Sequence, residues 1–153
     1  MIRSETEYQA ALKRLGQDQS FALKQREALE KANLNYEEIE RAMEPLISFY
    51  AQLSEEVDWY ENVRRRNFAP IQRLSEIGRI LIALRIANGL SQRELAEKLG
   101  ISEAVVSRDE RNEYHNITVD RAQKILDALN EVVTSTVADV PYRDKQRELV
   151  GIV

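Results

Sequence analysis

The sequence lacks the residue types that several classes of protein need. It contains no cysteine and a single histidine, so it has no disulfide framework and little material for a metal site. No stretch approaches the roughly 20 apolar residues of a membrane span, and the N-terminus lacks the basic-then-apolar pattern of a signal peptide. We therefore predict a cytoplasmic protein with no metal, no cofactor and no membrane contact.

Glycine and proline are also scarce, with five and three residues among 153. Because these residues punctuate secondary structure, their scarcity and the long helix-period patterns predict an all-α fold. We divide the chain into an N-terminal helical hairpin over residues 1–70, a group of four to five helices over 71–130, and a C-terminal strand and tail over 131–153.

The hairpin is predicted from two segments with helical spacing. Ser4 is expected to cap the first helix with Glu7 as its reciprocal partner, and Asn35 the second with Glu38. An imperfect apolar stripe follows the first helix at Tyr8, Leu12, Leu15, Phe21, Leu23 and Leu29.

The second segment carries a heptad pattern, with apolar residues in alternating steps of four and three. They are Ile39, Met43, Leu46, Tyr50, Leu53, Val57 and Tyr60. This seam must pack either on the first helix or on the same helix of a second subunit. Pro45 lies inside the segment and is expected to kink or split the helix.

After Pro70 the pattern changes to shorter helices, which we expect at residues 71–88, 92–99, 103–111 and 118–130. Ser91 is predicted to cap the second of these with Glu94 in capping-box spacing. Gly100 ends it, because glycine adopts the left-handed conformation easily. Ile101 is expected to enter the core and Ser102 to cap the next helix. Two short helices joined by such a turn are a helix-turn-helix unit.

The stretch from Arg85 to Arg111, RIANGLSQRELAEKLGISEAVVSRDER, resembles the phage repressor/Cro-type (XRE) helix-turn-helix domain. The resemblance covers about residues 74–130 and implies binding of double-stranded DNA, with the helix 103–111 in the major groove. It also implies paired core charges at Arg85 and Glu110. Asp109 and Asn112 depart from the family pattern, which more often has an apolar residue and a glycine there.

The resemblance further implies roles for individual residues. Gln92 matches the family's phosphate clamp, and Arg108 would donate two hydrogen bonds to a guanine. Glu103 would accept from a cytosine amino group, and Ala104 would meet a thymine methyl. The full set of DNA-binding positions implied is Gln92, Arg93, Ser102, Glu103, Ala104, Ser107, Arg108, Arg111 and Asn112.

The overall charge of −4 does not contradict DNA binding. Residues 1–70 carry 10 basic and 13 acidic side chains, whereas residues 71–130 carry nine of each. A neutral domain still binds DNA when its bases lie on one face and its acids on another.

Several functions remain open at this point. The first is a homodimeric repressor of palindromic operators, with the predicted strand at 131–140 as a possible dimerisation element. The second follows from the N-terminus, IRSETEYQAAL, which resembles HigA-like antitoxins that neutralise a protein toxin and repress their own operon. The third is a protein-interaction module located by its DNA domain. No catalytic residue set is found, so we expect no enzyme activity.

Overall fold

The protein is described here by a computed structural model covering residues 1–71 and 73–135. These residues contain six α-helices and no strand, which confirms the all-α prediction. The helices are α1 (Glu5–Lys31), α2 (Tyr36–Arg64), α3 (Ile77–Ala87), α4 (Gln92–Leu99), α5 (Glu103–Arg111) and α6 (Val119–Leu129). None of the helices in the described residues is long and apolar enough to cross a membrane.

Helices α1 and α2 pack against each other as a hairpin, and most of the predicted seam of α2 lies against α1. Ile39, Met43, Val57 and Tyr60 are buried, and the rings of Tyr8 and Tyr60 stack with centroids 5.0 Å apart. Tyr50 is the exception, since it is 36% exposed, and the rest of the seam is covered within one chain.

Helix α2 is continuous from Tyr36 to Arg64 with Pro45 inside it, so the expectation that proline splits the helix is wrong. Proline removes only one backbone hydrogen bond. Contacts with α1 lie on both sides of Pro45, the ion pair Arg26–Glu40 before it and the stacking of Arg14 on the Phe49 ring after it, and they hold both halves against one partner.

The predicted apolar stripe of α1 is only partly correct. Leu12, Phe21 and Leu23 are exposed, while Ala11 is buried instead. The other three predicted positions, Tyr8, Leu15 and Leu29, are half-buried. The hairpin exposes apolar side chains on α1 and also on α2, where Ile47 and Phe49 are exposed.

The helix-turn-helix region begins with a short 3-10 turn at Leu74–Glu76, and α3 starts at Ile77, later than predicted. The helix is nearly surrounded, since the side chains from Leu81 to Ile86 are all buried. At its start, Gly78 lies directly beneath the loop after α5. A Cβ atom at this position would come within 2.0 Å of the carbonyl oxygen of Glu113.

The hairpin and the helix-turn-helix region share one core. Ile2, Val57, Tyr60 and Val63 belong to the same buried cluster as Leu81 and Ile82. At the other end of the helix-turn-helix region, Glu131 accepts hydrogen bonds from Arg66 (2.5 Å) and Asn88 (2.8 Å). Residues 131–135 form no strand, and the rest of the predicted strand and tail, 136–153, lies outside the described residues.

Candidate nucleic-acid interface

Helix α4 begins and ends as its sequence predicts. The amide of Glu94 donates to the Ser91 hydroxyl (3.2 Å), and the Glu94 carboxylate accepts from the Ser91 amide (2.7 Å). Hydrogen bonds donated to this carboxylate by the Ser91 amide and the Ser91 hydroxyl lower the pKa of Glu94. Gly100 ends the helix with φ of 66°, a left-handed conformation that favours glycine.

The turn between α4 and α5 differs from the prediction at two positions. Ile101 was expected in the core but is 38% exposed, because Leu95 and Val106 already fill the space between the helices. Ser102 occupies the N-cap position of α5 without a side-chain hydrogen bond. Its main-chain carbonyl accepts from the Val105 amide at 3.0 Å instead, which leaves the Ser102 hydroxyl free of a role in the cap.

One face of α5 points away from the protein. Glu103, Ala104, Arg108 and Arg111 are exposed, and Ser107 is half-buried. Residues three or four apart on a helix lie on the same side, so 104, 108 and 111 form one surface. The Arg108 side chain is 73% exposed, and its Nε lies 3.7 Å from the carboxylate of Asp109. This surface can present hydrogen-bond donors and acceptors to a groove.

The opposite face of α5 is held by a buried ion pair. Glu110 and Arg85 are both buried, and the Glu110 carboxylate accepts from Arg85 Nε at 2.5 Å and from Nη2 at 2.7 Å. The same guanidinium donates to the carbonyl oxygens of Leu90 (2.7 Å) and Arg3 (3.0 Å). A buried charge pair needs such additional hydrogen bonds to offset its desolvation. The arrangement fixes α5 relative to α3.

Gln92 lies at the start of α4 and is half-buried. Its side-chain amide donates to the Glu110 carboxylate at 2.8 Å, so in this structure the predicted clamp residue is engaged inside the protein. Arg93, next in the chain, is exposed and pairs with Glu97 one turn later at 3.1 Å. Both residues nevertheless lie at the N-terminal end of α4, next to the exposed face of α5.

The departures at positions 109 and 112 have a structural account. Asp109 pairs with Arg121 of α6, so it ties α5 to its neighbour through charge rather than apolar packing. Asn112 has φ of −92° and is not left-handed. The left-handed residues are Glu113 and Tyr114, with φ of 49° and 53°.

Tyr114 was missed by the sequence analysis. It is buried among the core residues of this region, and its burial raises the pKa of its hydroxyl. Because Tyr114 lies in a loop, no helical periodicity marks it as a core residue. It supports the loop that follows α5 and begins at Asn112.

Among the described residues, no group of three or more histidine and carboxylate side chains could hold a metal ion. The one histidine, His115, is exposed in the loop after α5. The exposed polar surface of α4 and α5 is therefore the clearest functional feature of this region.

Comparison with known families agrees with this geometry. Residues 81–132, about a third of the chain, match the model of a helix-turn-helix family. No curated protein and no solved structure matches the chain. Residues 81–132 are therefore a helix-turn-helix domain of the repressor/Cro (XRE) type, which supports a DNA-binding regulator.

Proposed function

We propose that the chain is a sequence-specific repressor that reads DNA with the exposed face of α5 and binds a palindromic operator as a homodimer. The observation that carries the proposal is Arg108. Its side chain projects from the middle of α5, with only a 3.7 Å approach to Asp109 to restrain it. A guanidinium in this position can donate two parallel hydrogen bonds to O6 and N7 of a guanine.

The other predicted contact residues are assigned by their positions. Ser102, Glu103 and Ala104 lie at the start of α5, and Ser107 and Arg108 follow one turn later, so we assign them to base edges. Gln92, Arg93, Arg111 and Asn112 flank this surface, and we assign them to backbone phosphates, which position the helix without reading sequence. For Gln92, binding a phosphate requires its amide to leave Glu110, or to donate its second N–H.

Selection from a randomised DNA pool tests base readout. The wild type is expected to enrich one sequence. Arg108→Ala should reduce the preference for that sequence over a scrambled duplex by about 1–3 kcal/mol. Arg41→Ala is a matched control, because Arg41 is an exposed arginine on α2 and its loss changes the net charge equally. Equal preference in wild type and Arg108→Ala would remove Arg108 from base readout.

Dimerisation is a separate part of the proposal. Two recognition helices on a palindrome lie about 34–36 Å apart, one turn of DNA. The exposed apolar side chains of the hairpin, Leu23, Tyr36 and Ile47 among them, support association with another protein surface. Sedimentation equilibrium at micromolar concentration should give a dimer, and the enriched sequence should be an inverted repeat. A monomer that enriches a site without symmetry would contradict the homodimer.

A second candidate function rests on the charge of the same hairpin. Helix α2 carries eight acidic and two basic residues, a charge that favours a partner of opposite sign. A basic protein partner would fit this helix, as in an antitoxin that neutralises a toxin and represses its own operon. Purification from the native host, followed by reconstitution with the purified partner, tests it. A copurified partner that inhibits growth of the host once it is separated from this chain supports the antitoxin. A chain that purifies without a partner supports the repressor.

A further inference from the structure

The first three residues of the chain are anchored against the helix-turn-helix region. The α-ammonium of Met1 pairs with Glu56 of α2 at 2.8 Å, and Ile2 is buried in the shared core. The Arg3 carbonyl oxygen accepts from Arg85 Nη2 at 3.0 Å, and its amide donates to the Glu7 carboxylate at 2.7 Å. The main chain of Arg3 is thus held on both sides, and only its side chain is left to adjust.

This anchoring places Arg3 next to the DNA-binding residues. The Arg85 Nη2 atom that donates to Arg3 also donates to Glu110, and Glu110 accepts from Gln92. Arg3 and Gln92 also line one cavity of about 620 Å³, together with Ser91 at the start of α4 and Glu103 at the start of α5. An N-terminal residue therefore contributes to the same surface as the two helices of the motif.

The charge of Arg3 is not used within the described part of the chain. Arg3 forms no ion pair there, and its Nε is buried without a hydrogen-bond partner. A buried N–H without an acceptor is costly, so the site is suited to receive one.

The two other cations that line the cavity are already engaged, whereas Glu103, which also lines it, forms no ion pair within the described residues. Arg64 pairs with Glu5 at 3.1 Å, and the Glu94 carboxylate is occupied by Ser91. Arg85 is bound to Glu110. Within residues 1–71 and 73–135, this leaves Arg3 as the cation of the cavity that is available to an anion.

We propose that Arg3 binds a backbone phosphate of the DNA beside Gln92, so that the N-terminal segment extends the DNA interface beyond the helix-turn-helix domain. This inference rests on the proposed DNA binding by α4 and α5. Because the Arg3 main chain is already fixed, little conformational freedom is lost on binding. A phosphate contact strengthens binding to every sequence equally and carries no base preference.

The test is a salt series with fluorescence-labelled duplexes, one carrying the sequence enriched by the wild type and one of random sequence. Each neutralised phosphate contributes about 0.9 to the slope of log K against log salt concentration. Arg3→Ala should make the slope shallower by about 0.9 on both duplexes, and Arg3→Lys should keep most of it. The control Arg41→Ala should leave the slope unchanged. Thermal melting by circular dichroism, with Arg3→Gln as a second variant, checks that each protein is folded.

The outcomes separate this inference from the proposed function. If folded Arg3→Ala keeps the wild-type salt slope, and Arg108→Ala still loses its base preference, the role of Arg3 is overturned and the proposed function remains intact. If the salt slope of Arg3→Lys is as shallow as that of Arg3→Ala, the phosphate contact is also contradicted, because lysine keeps the positive charge. If the wild type binds neither duplex, the proposed function and the role of Arg3 both fail.

Discussion

The side-chain amide of Gln92 donates a hydrogen bond of 2.8 Å to the carboxylate of Glu110. Gln92 is the first residue of α4, and Glu110 lies near the end of α5. Glu110 also receives two hydrogen bonds from Arg85, so one carboxylate joins three helices of the domain. The position of the proposed DNA-binding surface therefore depends on the buried carboxylate of Glu110.

Glu110→Gln should destabilise the protein by about 3–5 kcal/mol, because it leaves Arg85 buried without an opposite charge. Urea denaturation followed by circular dichroism measures the free energy of unfolding. Glu97→Gln is the control, since Glu97 pairs with Arg93 on the surface and exposed pairs contribute about 0.3–0.5 kcal/mol. A loss of less than about 1 kcal/mol in Glu110→Gln would show that Arg85 finds other partners.

Gly78→Ala should destabilise the protein by about 1–3 kcal/mol or more, because the new methyl group would meet the Glu113 carbonyl, which is main chain and moves only with its loop. Gly16→Ala makes the same substitution inside α1, where nothing lies within 4 Å. That variant should be more stable than the wild type by about 0.5–1 kcal/mol. If urea denaturation shows that Gly78→Ala and Gly16→Ala change the free energy of unfolding in the same direction, the close approach at Gly78 is contradicted.

Tyr114→Phe should make the protein less sensitive to alkaline pH. Burial raises the pKa of Tyr114 above its ordinary value of 10.0, so the folded state favours the protonated phenol. This contribution to stability is fully present below pH 10 and is lost as the pH rises further, because the unfolded chain then ionises first.

Between pH 9 and 11 the wild type should lose about 1.4 kcal/mol more stability than Tyr114→Phe. Urea denaturation at both pH values measures this difference. The exposed Tyr36→Phe should follow the wild type. If the wild type and Tyr114→Phe lose the same amount of stability between pH 9 and 11, the Tyr114 hydroxyl reaches solvent.

Local signals in the sequence predicted most of the helices. The bounds of α4 follow from the Ser91–Glu94 capping box at its start and from Gly100 at its end. Both signals lie within or directly beside the helix. The same holds for Asn35 and Glu38 at the start of α2. At Ser4 the cap is present, but the Glu7 carboxylate accepts from the Arg3 amide rather than from Ser4.

The errors occur where distant packing competes with a local preference. Pro45 disfavours a helix interior, but contacts with α1 on both sides keep α2 continuous. Ile101 is apolar, but Leu95 and Val106 already fill the core beside it. Ser102 has the right position for a cap, but the Val105 amide bonds to its carbonyl instead.

The sequence by itself determined the all-α fold and the bounds of α4 and α5, because caps, glycine turns and helical periodicity act over a few residues, and the family resemblance of residues 85–111 gave the type of the domain. Only the tertiary structure decided what covers the seam of α2, that Gln92 donates to Glu110, and that Arg3 lies beside the proposed DNA-binding surface. Arg3 and Arg85 are 82 residues apart. Such contacts depend on how the hairpin packs on the domain, and no local pattern encodes that arrangement.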